Sequence, residues 1–266
     1  MASGYVELNG RKLYYETTGD GYPLVLLHAA GMNRKMWDDQ VEVFSKHYQV
    51  IRYDARGAGE SDVPQHPFSL SEDLYKLLRF LAIGKAHILG MSLGGITAID
   101  FCLEHQQMVD ALILASPGIS GYVYSEPYQQ KMNRMFSAAR QGGVSAFVKA
   151  CLEDVALAPA KEQVAARQKM AEMLTENYKA LFVDPGLARW PEPRAIERVQ
   201  EIGVPTLILT GERDDADFQE MGRLLRENIE GSQYVVLGGT GHMLNMEQPE
   251  EFNRTVLGFL SEIAST

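Results

Sequence analysis

The sequence predicts an α/β protein, with a mostly parallel central sheet flanked by helices and an inserted helical cap. Three observations predict it. Strand-like and helix-like segments alternate along the chain, the order that builds parallel sheets. Several strand-like runs, such as Pro23–Ala29 and Ala111–Ala115, are apolar almost without a break, which suits strands buried on both faces. The alternation stops after Gly118 and resumes after Ile202, so a different kind of segment is inserted there.

The elements follow in order. Tyr5–Leu8 and Lys12–Thr17 read as strands joined by Asn9-Gly10, a favoured hairpin turn. Pro23–Ala29 is the next strand. Met36–His47 has helical spacing in Trp37, Val41 and Phe44. Val50–Tyr53 is a strand. Ser69–Leu81 opens with Ser69-x-x-Glu72, a capping box, and continues as an amphipathic helix. Strand Ala86–Gly90, helix Gly94–His105 and strand Ala111–Ala115 complete the first half. The insertion is rich in Met, Gln, Lys and Ala. Its expected helices are Pro127–Gln141, Val144–Cys151, Lys161–Leu174 and Asn177–Phe182, with an irregular return at Trp190-Pro191-Glu192-Pro193. Strand Thr206–Thr210, helix Phe218–Asn228, strand Gln233–Leu237 and helix Pro249–Ile263 close the pattern. Residues 1–118 and 203–266 therefore form the expected core domain, and 119–202 a helical lid over the carboxyl edge of its sheet, where such sheets bind ligands.

The 266 residues suffice for a self-supporting core without a metal or disulfide staple. The net charge of −10 disfavours nucleic acid or an anionic membrane as partner. Cys102 and Cys151 are too few for a disulfide framework, and Met1–Gly10 lacks the pattern of a secretory signal. No apolar run approaches the roughly 18 residues of a membrane span. A cytoplasmic protein acting on something small and neutral is expected, and its oligomeric state is not readable. No zinc spacing, P-loop or strand–GxGxxG–helix unit is present, so neither metal nor cofactor is expected.

The strongest local signal is Gly90-Met91-Ser92-Leu93-Gly94, between a strand and a helix. That context suits a nucleophile elbow, where the chain reverses so sharply that a Cβ two residues either side of the serine would clash. A serine hydroxyl needs a base, and the base an orienting group. His242, after the last strand, is the candidate base. Asp214, after the strand before it, is the candidate acid, with Asp215 and Asp217 as alternatives. Backbone N–H groups of Ala30 and Leu93 are the candidate oxyanion donors. Of the other histidines, His28 is expected to brace its loop, His87 to be structural, and His47, His66 and His105 to have no role. Met91 is expected to touch the substrate pocket. The aromatics and methionines of the insertion, among them Met132, Met135, Phe136, Phe147 and Met170, are candidates to line an apolar acyl or alcohol pocket; helical spacing favours packing for any single one, and none is assigned to binding. Cys102 is read as a buried hydrophobe.

The chain resembles the α/β-hydrolase family, specifically its capped, serine-dependent, esterase-like members. The resemblance rests on Leu26-Leu27-His28-Ala29-Ala30-Gly31, Met36-Trp37, Asp54–Asp62, Gly90–Gly95, Pro205–Asp214, Gly241-His242 and Glu247–Phe252, and it spans nearly all the chain outside the insertion. Two positions depart from the family pattern: Ala29 stands where Gly is usual, and Asp215–Phe218 lacks the usual small apolar-proline stretch. Arg56 and Asp62 are read as structural. Ser92 in place of the Asp nucleophile of dehalogenases and epoxide hydrolases implies acyl chemistry. The resemblance thus implies a carboxylic ester hydrolase working on a small ester or lactone through an acyl-enzyme. Lactone or C–C bond hydrolysis would use the same triad, and from another class comes a small-molecule receptor that retains it.

Overall fold

Apolar residues that alternate along each central strand supply both faces of the sheet. In the computed structural model, which describes residues 2–8 and 10–264, the strands are β1 (Ala2–Leu8), β2 (Arg11–Thr18), β3 (Tyr22–Leu27), β4 (Tyr48–Tyr53), β5 (Ala86–Met91), β6 (Val109–Ala115), β7 (Thr206–Gly211) and β8 (Gln233–Leu237). They form one sheet in the order β1-β2-β4-β3-β5-β6-β7-β8. The β1–β2 and β2–β4 pairs are antiparallel and every other pair is parallel. Asn9 of the expected hairpin turn lies outside the described residues.

The helices are α1 (Asp38–Phe44), α2 (Leu70–Phe80), α3 (Leu93–Glu104), α4 (Glu126–Glu153), α5 (Val164–Glu176), α6 (Ala216–Asn228), α7 (Leu244–Glu247) and α8 (Pro249–Ala264). Leu24, Leu26, Leu89, Ile113 and Leu209 face one core, where Trp37, Phe44, Phe252 and Val256 cover them. Val25, Leu27, Ile88, Leu112 and Ile208 face the other, against Leu74 and Leu77 of α2, Ile99 and Phe101 of α3, and Met221 and Leu225 of α6. The period of two in the strands and 3.6 in the helices brings these sets together. Cys102 is fully buried in the second core.

Local chemistry shifts several boundaries. The Asn33 side chain accepts from the Lys35 N–H at 3.0 Å and starts a 3₁₀ turn, Arg34–Trp37, ahead of α1, so the expected single helix is two pieces. The Ser69 hydroxyl accepts from the Glu72 N–H at 3.4 Å and opens α2 as expected. The expected helices Pro127–Gln141 and Val144–Cys151 are the two halves of α4, joined through Gly143, where φ is +69° and the helical path breaks. Strand β3 ends at Leu27, two residues early. The short α7 had no periodic signal to announce it. Among the described residues, no helix is long and apolar enough to cross a membrane.

His87 of β5 packs beneath Tyr22 and Tyr48, with ring centroids 4.9 and 5.9 Å away. Burial, helped by nearby Lys85, pushes its pKa down to about 4. A folded value below the unfolded value of about 6.5 means that stability is lost as pH falls from about 6.5 towards 4, by up to about 3 kcal/mol. His87→Gln is therefore expected to flatten this stretch of the pH–stability curve. Urea midpoints measured near neutral pH and near pH 4.5 check it, and an unaltered difference between them refutes it.

Candidate active site

Strand β5 ends at Met91 and α3 begins at Leu93, so the reversal falls on Ser92 alone. Its φ of +54° with ψ of −110° is a conformation that L-residues rarely adopt. Three backbone bonds hold it there. The Ser92 N–H donates to the Ala115 carbonyl at 3.1 Å, and the Ser92 carbonyl accepts from Ile96 at 3.0 Å and Gly118 at 3.1 Å. The flanking glycines make the turn possible. A Cβ on Gly90 would lie 2.2 Å from the Gly94 carbonyl oxygen, and one on Gly94 would lie 2.1 Å from that of Leu27. Gly94→Ala must therefore push α3 away from β3. It is expected to cost about 3 kcal/mol or more, read as a fall in Tm. Gly84→Ala, whose Cβ would meet nothing within 4 Å, is the neutral comparison.

Asp214 and His242 come from the loops after β7 and β8. The His242 Nδ1–H donates to the two Asp214 carboxylate oxygens at 3.0 and 3.2 Å. The Asp215 N–H also donates to Asp214, at 2.8 Å. The Asp214 side chain is 0% exposed and that of His242 5%. With Nδ1 committed, Nε2 is left as the ring's acceptor. Phe218 of α6 packs against the ring with centroids 4.3 Å apart. The two alternative acids are engaged elsewhere. Asp215 pairs with Lys131 of α4, and Asp217 accepts from the Ser125 N–H at 2.7 Å and hydroxyl at 2.6 Å.

Ser92 and His242 line the same cavity, of about 130 Å³, without a hydrogen bond between them. Such bonds are often long before substrate arrives. Ala30 lies in the loop after β3 and also lines this cavity. Neither its N–H nor that of Leu93, at the start of α3, has a protein acceptor among the described residues. His28 fixes this loop. Its Nδ1–H donates to the Ala29 carbonyl and its Nε2 accepts from the Ala55 N–H, each at 2.9 Å. Burial pulls its pKa down, which keeps the ring neutral for that double duty.

Some features of the site escape sequence reasoning. The rest of the cavity wall is apolar, with Met132, Met135, Phe136 and Phe147 from α4 and Met170 and Leu174 from α5. The sequence offers the aromatics and methionines among these as pocket candidates without singling out which of them line it. Met91, expected at the pocket, is instead fully buried in the core with Leu24 and Leu89 and does not line the cavity. The strand period turns it into the sheet's packed face. The turn after α4 reaches His242 directly, because the His242 N–H donates to the Ala156 carbonyl at 2.7 Å. Asp154 shapes that turn by accepting from the Ala156 and Leu157 N–H groups at 3.1 and 2.9 Å. Arg34, buried behind the loop after β3, binds Glu16 at 2.8 Å and Asp54 at 2.6 Å. Arg56 pairs with Asp73 at 2.5 Å, and Asp62 accepts from the Lys12 N–H at 2.8 Å, both structural as expected. Among the described residues, no group of three or more His, Cys, Asp and Glu could hold a metal ion.

A family model described as the alpha/beta hydrolase fold matches residues 22–249. The chain belongs to the α/β-hydrolase family. Among its relatives is the 3-oxoadipate enol-lactonase 1 of Acinetobacter baylyi, 26% identical over 250 residues that cover 90% of this hydrolase and 89% of the relative. Another is the 2-hydroxy-6-oxo-6-(2'-aminophenyl)hexa-2,4-dienoic acid hydrolase of Metapseudomonas resinovorans, 26% identical with coverage of 98% and 91%. Among solved structures, a thermophilic esterase from Thermogutta terrifontis superposes with a TM-score of 0.82 at 25% identity, covering 99% of each chain.

Proposed function

We propose that this α/β-hydrolase is a serine esterase that cleaves carboxylic esters of small, largely apolar substrates through an acyl-enzyme. The observation that carries the reading is His242, hydrogen-bonded to Asp214, lining the same apolar cavity as the strained Ser92. In this mechanism the His242 Nε2 takes the Ser92 proton as the oxygen attacks the ester carbonyl. Asp214 steadies the imidazolium that forms. The carbonyl oxygen becomes negative between the Ala30 and Leu93 N–H groups, each donor contributing about 10²–10³ in rate. His242 then protonates the leaving alcohol, and later activates the water that frees the acid.

Residues 119–202 serve in this reading as the cap that walls the cavity from above. Hydrolysis of a lactone is the second reading, favoured by the likeness to a 3-oxoadipate enol-lactonase, and it uses the same residues. A serine-directed fluorophosphonate tests the shared core of both. Stoichiometric labelling, mapped to Ser92 by mass spectrometry, is expected. Absence of an adduct, or an adduct elsewhere, sinks the proposal. Rates on linear esters against lactones of equal carbon number then separate the two.

A further inference from the structure

The wall of the Ser92 cavity carries no charge. Its lining residues include no Lys, Arg, Asp or Glu, and the polar side chains among them are Ser92, Tyr128 and His242. Five methionines, Met32, Met132, Met135, Met170 and Met243, make up much of the rest. Thioether chains adapt to varied apolar shapes, yet they cannot solvate an ion.

Four cations around the cavity are already committed. Lys131, next to Met132 on α4, pairs with Asp215 and lies 3.4 Å from Asp154. Arg213 is held by Glu247 at 2.8 Å, and Arg56 by Asp73 at 2.5 Å. Arg167 of α5 donates to the Pro159 and Leu152 carbonyls, each at 2.7 Å. Moving any of these to a ligand would strand the group it now serves. The charge closest to His242 has the opposite sign, because the Asp214 carboxylate is buried behind the ring. The chain as a whole carries −10. A carboxylate entering the cavity would lose its water, find no cation in the cavity wall and approach existing negative charge.

We propose that this site takes only uncharged substrates: neutral esters or lactones of varied apolar shape, with dicarboxylate half-esters and keto-acid lactones excluded. The inference rests on the esterase reading and adds a charge rule to it. Three esters of one chain length test it on the wild-type enzyme: p-nitrophenyl hexanoate, methyl p-nitrophenyl adipate and mono-p-nitrophenyl adipate. Each kcat/KM is divided by the ester's own hydroxide-catalysed rate. The two neutral esters are expected to agree within about tenfold, and the half-ester to fall at least about 100-fold below methyl p-nitrophenyl adipate. A half-ester deficit smaller than that overturns the charge rule and leaves the esterase reading standing. A low rate on the methyl adipate equal to that on the half-ester also overturns it, because length rather than charge would then decide. Failure to cleave any of the three overturns both.

Discussion

Alanine at position 92 is expected to lower kcat on p-nitrophenyl esters by about 10⁵–10⁶-fold and to leave the fold intact. The two parts of this expectation have separate grounds. The hydroxyl is the bond-forming atom in the proposed mechanism, so no other group can supply its step. What remains in the variant is the residual assistance of the oxyanion donors and of binding. The fold is spared because alanine keeps the Cβ and so meets the same backbone strain at φ +54° that serine does. The three backbone bonds that hold the elbow do not involve the side chain, and no hydrogen bond of the hydroxyl is lost. An unchanged Tm with kcat reduced to that residual level, still above the uncatalysed rate, is the predicted pair of results. Retention of even about 1% of kcat would move the nucleophile elsewhere.

Asp214→Asn is expected to lower kcat by about 10⁴-fold with little effect on KM. The amide can occupy the carboxylate's place. It can present an N–H to Nδ1, however, which drives the ring proton to Nε2, and Nε2 then has no lone pair to receive the serine proton. Asp215→Asn and Asp217→Asn make the comparison sharp. Those carboxylates serve Lys131 and Ser125, so their loss should loosen α4 and lower Tm, with kcat kept within about tenfold. If Asp217→Asn were the variant that lost four orders of magnitude, the acid would be misassigned.

What could be read in advance, and what could not, follows from where the constraint lies. The central strands announce themselves because burial on two faces leaves no room for polar residues in Leu24–Leu27 or Leu112–Ala115. The elbow is legible because Gly90 and Gly94 are demanded by backbone approaches near 2 Å, a requirement local to five residues. Asp214 stood out by its place after a strand, but only coordinates show that Asp215 and Asp217 turn towards α4 instead. The cavity wall was hidden for a different reason. A methionine that packs and a methionine that lines a pocket have the same helical spacing, and the difference is whether a neighbour fills the space beyond it. Met91 shows the converse error, since adjacency to Ser92 in sequence says nothing about which face of β5 it occupies. Arg34 and Ala156 carry no pattern at all. One is chosen by carboxylates that lie 18 and 20 residues away, and the other offers only a carbonyl.

That carbonyl has a further implication. Ala156 belongs to the covering segment, while the N–H it receives belongs to the proposed base. A cover that swung off as a rigid flap would take its acceptor along and leave the imidazole's own backbone unmoored. In the proposed mechanism, an entry that moved only the α4 and α5 side chains would keep this latch shut. Such an entry would leave the proposed base undisturbed and ready to react.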